Sequence, residues 1–316
     1  MDLIEALAAD ADLVCVVGAG GKKTTLYTLA NQLDRAVVTA TVRIPIFDDQ
    51  VADVRVTRDP VGALRDAADD AWPLGLVPER ERGDRYLGYD RETVTAIRAT
   101  PGHGPVLTKA DGARTRLLKA PDEREPQIPT TTDTVIPVAS ARVVGKPLSD
   151  AHVHRPERVA DLTGLDLGDP ITPEDVGAVL ADRLGGRKRA PPSATVVPLI
   201  NMVDDDELTA TGRSIAAAIH DRTDVSRVVL ARMLDAEARA GRACSPTVAH
   251  EPSSSRRAAS TKSSGVLQFS KVCGVPWSRT SSASTTTKSR SNSGATMRSS
   301  PSASAASQAS AIAAAR

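Results

Sequence analysis

The chain has 316 residues, with 40 lysines and arginines against 39 aspartates and glutamates, for a formal net charge of +1. That near-balance conceals a division: residues 1–240 hold 30 basic and 38 acidic side chains, whereas residues 241–316 hold 10 basic side chains and a single acid, Glu251. An acidic body excludes nucleic acid as the main partner, because phosphate contacts demand a basic face. No apolar run approaches membrane-spanning length.

The N-terminus has neither the basic start nor the long apolar core of a secretion signal. Cys15, Cys244 and Cys273 have no metal-site or disulfide spacing, as expected of a cytoplasmic protein.

Leu13–Val17 predicts a buried first strand that breaks at Gly18-Ala19-Gly20-Gly21 and passes through Lys22, Lys23, Thr24 and Thr25 into a helix over 24–32. Glycines let several N–H groups converge, a lysine adds charge, a hydroxyl can reach a metal, and the helix turns its positive end to the same point. This is the layout of a phosphate-binding loop. The standard pattern Gly-x-x-x-x-Gly-Lys-Ser/Thr meets Val16 and Lys23 at two of its fixed positions. The shorter Gly-x-x-Gly-Lys-x-Thr fits Gly18, Gly21, Lys22 and Thr24, and resembles the loop of Mur-type ligases. Lys22 is then the phosphate lysine and Thr24 or Thr25 the Mg²⁺ hydroxyl, with Lys23 either a second anion contact or solvated. The alternative is a strand-to-helix turn with no ligand.

A second strand at 36–39 ends in Thr39-Ala40-Thr41-Val42-Arg43, where Thr41 and Arg43 either face an anion or form a polar strand end. A strand at 51–56 and helices at 61–68 and 91–98 follow. The next strand, Val106–Lys109, runs into Ala110-Asp111-Gly112. An acid ending an apolar strand is where phosphate-loop enzymes hold Mg²⁺, although turn aspartates before glycine are also common. The proline-rich stretch at 119–129 presents Lys119 and Glu125, or is a plain surface loop.

A strand at 134–138 precedes His154-Arg155, where the histidine could bind an anion or a metal or help cap the helix at 156–163. Thr172, Pro173 and Asp175 start a helix that Gly185-Gly186 would close at 184. A strand at 195–200 ends in Asn201-Met202-Val203-Asp204. Asn201 and Asp204 keep the amide and carboxylate spacing of a guanine-reading Asn-Lys-x-Asp, or else Asp204 begins a run that caps the helix at 207–220. A strand at 227–230 completes the body.

Strands without clean alternation, separated by helices, predict a three-layer α/β fold of the P-loop NTPase kind, with a mostly parallel sheet covered on both faces. Residues 1–240 form this nucleotide-binding domain. From about Ser253 the chain is dominated by Ser, Ala, Thr and Arg, with short apolar islands at 266–269 and 272–277. Residues 241–316 therefore read as a disordered low-complexity tail, or as the product of a shifted reading frame.

The ordered set of motifs resembles the selenium-dependent hydroxylase accessory proteins of the YqeC type over roughly residues 10–235. It comprises Gly18-Ala-Gly-Gly-Lys22, Val38-Thr-Ala-Thr41, Ala110-Asp-Gly112, Lys119-Ala-Pro121, Glu125-Pro126 and Ile128-Pro129. Gly145-Lys-Pro-Leu148, His154-Arg-Pro156 and Asn201-x-Val-Asp204 complete it. The resemblance implies a nucleotide-binding helper in the maturation of molybdenum hydroxylases. Lys109, Met202 and Lys23 depart from the pattern.

The expected ligands are ATP or GTP with Mg²⁺. Gly18 to Thr25, Asn201 and Asp204 would bind the nucleotide, Thr24 and Asp111 the metal, and Lys22 and Asp111 would act in any catalysis. Thr41, Arg43, Lys119, Glu125, His154 and Arg155 are the remaining anion or substrate candidates. The expected partners are the nucleotide and molybdenum hydroxylase or cofactor-maturation proteins. A Mur-like ligase and a non-hydrolysing binder of a nucleotide-linked molybdenum cofactor are the rival readings.

Overall fold

The computed structural model describes residues 1–233 and 265–269. Helix α1 (Leu3–Leu7) leads into β1 (Leu13–Gly18), α2 (Lys22–Ala30) and β2 (Val37–Ala40). Next come β3 (Ile44–Pro45), β4 (Asp53–Val56), α3 (Pro60–Arg65), β5 (Leu74–Val77), β6 (Arg80–Arg82) and β7 (Arg85–Tyr86). The middle of the chain forms α4 (Arg91–Arg98), β8 (Val106–Lys109), β9 (Leu118–Lys119), β10 (Thr134–Ser140), β11 (Val153–His154), α5 (Pro156–Thr163) and α6 (Pro173–Ala181). The described series closes with β12 (Thr195–Val196), β13 (Leu199–Asn201), α7 (Asp206–His220), β14 (Arg227–Ala231) and β15 (Gly265–Phe269).

The main sheet has ten strands in the order β15-β14-β13-β10-β1-β8-β2-β5-β4, with β12 beside β10. Its pairings are parallel. Both faces are covered, so its central strands are buried along their length: all seven residues of β10 are buried. On one face Val14, Val16, Val38 and Ile136 pack against Leu3 and Leu7 of α1 and Leu26 and Leu29 of α2. On the other, Leu13 and Val37 meet Val94 and Ile97 of α4, while Ile200 and Leu230 meet α6 and α7. Each such side chain contributes about 1.5–3 kcal/mol on burial. The three-layer parallel α/β expectation is met.

The chain runs from β1 out to β2, returns to β8 beside β1, and then crosses to β10 on β1's other side. The strand order therefore reverses around β1, and ligands of open α/β sheets bind beyond the strands' carboxyl ends at such a point.

Most elements fall near their expected positions, and the differences have local causes. The strand expected at 195–200 is divided into β12 and β13 around Pro198, which has no N–H for a ladder. Helix α6 has the expected capping box between Thr172 and Asp175, yet stops at Ala181, where Asp182 turns extended. Helix α1 and strand β5 were not anticipated. The apolar island at 266–269, expected to be disordered, lies in β15, which pairs with β14 from Arg227↔Gly265 to Ala231↔Phe269. The rest of the expected disordered tail, and Cys244 and Cys273, lie outside the described residues. Among those described, no helix is long and apolar enough to cross a membrane.

Candidate functional site

The glycine-rich turn sits where β1 ends. Gly18, Gly20 and Gly21 all have positive φ, a region that side chains with a Cβ seldom enter. Space excludes larger residues as well. A Cβ on Gly20 would fall 2.5 Å from the Ser140 backbone nitrogen, and one on Gly21 would collide with the Asn201 amide. Protein acceptors take the first N–H groups of the turn. Gly18 donates to Asp111 Oδ2 at 2.9 Å, Ala19 to the Val138 carbonyl at 2.9 Å, and Gly20 to the Arg116 carbonyl at 2.9 Å. Gly21, the N-cap of α2, supplies no side-chain cap. The first turn of α2 therefore presents backbone donors with no acceptor inside the helix.

That turn opens into a cavity of about 680 Å³. Lys22, Lys23, Arg43, Arg85, Lys109, Arg114 and Arg116 line it, together with the apolar Ile44, Pro45, Ala113 and Met202. Among the described residues no aspartate or glutamate does. Such a lining, combined with a helix N-terminus, selects for polyanions. Three of the lining residues, Arg114, Thr115 and Met202, hold left-handed backbone (φ 47°, 61° and 60°) although none is glycine. Each costs about 1–3 kcal/mol and persists only where the surroundings impose it, as they do at binding sites.

Behind the cavity lies a chain of alternating charges. Asp111, 1% exposed, has Lys22 Nζ 2.9 Å from Oδ1 and Lys119 Nζ 3.0 Å from Oδ2. Lys119 also pairs with Glu125 at 2.6 Å, and Arg155 bridges Glu125 at 2.8 Å and Asp122 at 2.6 Å. Burial alone would raise the Asp111 carboxyl, but the ammonium groups of Lys22 and Lys119 outweigh it and hold Asp111 below its usual range. Burial lowers Lys22, and the attraction of Asp111 only partly offsets this. Lys22 also donates to the Gly18 carbonyl. Lys109, buried and beside Lys22, is pushed down to about 7, chiefly by burial. Its Nζ donates to the Arg43 carbonyl at 2.7 Å.

The structure thus gathers some of the expected residues and separates others. Ala19 to Thr24 and Arg43 line the cavity, whereas Gly18 and Thr25 lie beneath it. The Thr25 hydroxyl donates to the Gly21 carbonyl within its own helix. Thr41 donates to the Gln127 carbonyl at 2.7 Å. Lys119, Glu125 and Arg155 belong to the charge chain behind Asp111. His154, in β11, is lowered to about 4 by burial and by the neighbouring Arg155.

Asn201 is 1% exposed, and its amide is committed at both ends. It donates to the Gly20 carbonyl at 2.8 Å and accepts from the Met233 N–H at 3.1 Å. Asn201 therefore pins the glycine turn to the end of β14. Asp204 pairs with Arg142 at 2.5 Å and Arg232 at 3.3 Å, while Asp205 caps α7 through Leu208 N–H at 2.8 Å.

Sequence reading missed Arg85, Arg114 and Arg116. The last two carry a local signal, alternate cations just after a strand-ending Asp-Gly. Arg85 carries none: it arrives through the pairing of β7 with β3, Pro45↔Arg85.

A family model described as "YqeC protein" matches residues 14–157. Over 195 residues the chain is 31% identical to the "Uncharacterized protein YqeC" of Escherichia coli (strain K12), covering 60% of this chain and 75% of that protein. No solved structure gives a significant match.

Proposed function

The chain belongs to the YqeC family, and on that premise we propose that it binds a nucleoside triphosphate, ATP or GTP, and serves as an accessory protein in the maturation of molybdenum hydroxylases. One observation carries the nucleotide reading: an uncapped helix N-terminus that bears Lys22 and Lys23 opens into a cavity whose wall, among the described residues, holds no acid. Lys22 would exchange its contact with Asp111 for the β- and γ-phosphates, and the first-turn N–H groups of α2 would hold the same oxygens. The cavity volume suits a nucleotide-sized ligand. The client role rests on the family motifs.

Mg²⁺ fits this reading as a companion of the nucleotide rather than as a resident ion. Among the described residues no cluster of three potential metal-ligating side chains occurs, and Mg²⁺ is commonly held by one or two carboxylates together with substrate phosphates. Asp111 Oδ1 is buried and accepts no directed hydrogen bond, so it is the oxygen released when Lys22 moves to a phosphate. The Thr24 hydroxyl, on the cavity wall, is the second donor. The ion would neutralise phosphate charge.

Calorimetric titration of ATP and GTP, with Mg²⁺ and with EDTA, tests the proposal. The expected result is saturable binding that Mg²⁺ strengthens. No binding of either nucleotide in either condition would overturn it.

A further inference from the structure

The cavity has a second cationic end that phosphates seated on α2 would not reach. Strands β1, β8 and β2 lie side by side in that order. With about 4.8 Å between neighbours, the carboxyl end of β2 stands roughly 9–10 Å from that of β1. Arg43 follows β2, the pairing of β3 with β7 sets Arg85 opposite Pro45 two residues on, and Lys109 ends β8, the strand between β2 and β1.

Lys109 is 6% exposed, yet it lines the cavity. Its ammonium contacts the Arg43 carbonyl, and among the described residues it forms no ion pair with a carboxylate. Glu81 and Asp84, which pair with Arg43 and Arg85, are not part of the cavity wall. Ile44 and Pro45 supply apolar surface at the same end.

A buried ammonium without a carboxylate partner, in a cavity wall that also carries Arg43, Arg85 and a small apolar surface, is complementary to an oxyanion on a short stem. We infer that Arg43, Arg85 and Lys109 form a co-substrate subsite for a small oxyanion, a carboxylate or a phosphate, separate from the nucleotide phosphates at α2. Its description as a co-substrate subsite rests on the nucleotide reading; the anion binding itself does not.

The test titrates inorganic phosphate, and separately propionate, into the free protein and into protein saturated with a non-hydrolysable triphosphate analogue, with melting temperature as the readout. The expected result is that at least one probe still raises the melting temperature of the saturated protein. Lys109→Met and Arg85→Gln should each raise that probe's half-saturating concentration about tenfold while changing nucleotide affinity less than about fivefold. Lys22→Ala should do the reverse.

The better probe identifies the oxyanion class. Loss of both probe responses on nucleotide saturation would overturn the inference, because a single anion site would then explain everything. So would probe binding that neither variant alters. If no nucleotide binds, the proposed function fails, and the free-protein titrations with Lys109→Met and Arg85→Gln decide the subsite alone.

Discussion

Replacing Asp111 with asparagine perturbs the charge chain at its centre. Asparagine keeps the size and can still accept from the Gly18 N–H, held at 2.9 Å in the wild type. It cannot balance Lys22 at 2.9 Å and Lys119 at 3.0 Å. Lys22 and Lys119 would then share Glu125 as the remaining carboxylate of the knot. Removing one partner of a buried ion pair costs about 3–5 kcal/mol, against a total stability of about 5–15 kcal/mol. At about 2–4 °C per kcal/mol for a domain of this size, the melting temperature should fall by roughly 6–20 °C.

A polyanion should recover more stability in the variant than in the wild type, because it supplies the missing charge and Lys22 no longer has to leave a carboxylate. Thermal melts of both proteins, with and without tripolyphosphate, measure this. A melting temperature within about 2 °C of wild type would refute the role of Asp111 as charge hub. A smaller tripolyphosphate shift in the variant would refute the exchange of Lys22 between carboxylate and phosphate.

Lys22→Ala should lose about ten- to a hundredfold in nucleotide affinity and Lys23→Ala much less, because Lys22 stands directly beneath the turn; the opposite ranking in calorimetry would shift the register to Lys23-Thr24. His154, lowered to about 4 in the fold from an ordinary value of 6.5, binds its proton more readily in the unfolded chain. It therefore costs stability as pH falls through 6.5 toward 4. His154→Asn should flatten that part of the pH–stability curve, and identical wild-type and variant curves would contradict its half-buried, neutral state. A chain ending at residue 252 loses β15 and exposes the edge of β14. It should melt several degrees lower and self-associate on gel filtration, and no change in either would show that β15 does not guard that edge in solution.

The sequence by itself determined what depends on neighbours along the chain. The run Leu13–Val17 into Gly18-Ala-Gly-Gly fixes a buried strand and a turn that only glycine can make, and Thr172-Pro173 with Asp175 fixes a helix start. Hydrophobic period, capping and positive φ are short-range properties, so β1, α2, β8, α4 and α5 were legible with nearly their full extents. Strand β15 was not, because five residues in a polar tail form a strand only when β14 offers an open edge.

Lys22 and Asp111 were legible as residues at strand ends for the same local reason, but the charge balance around them was not. Only tertiary structure could place Lys119 against Asp111, bring Arg85 to the cavity through β7, and turn Asn201 toward the Gly20 carbonyl 181 residues away. A spacing such as Asn201-x-x-Asp204 specifies what two side chains can recognise. Burial and the nearest unsatisfied backbone groups decide what they touch, and those are set by distant segments meeting across the sheet.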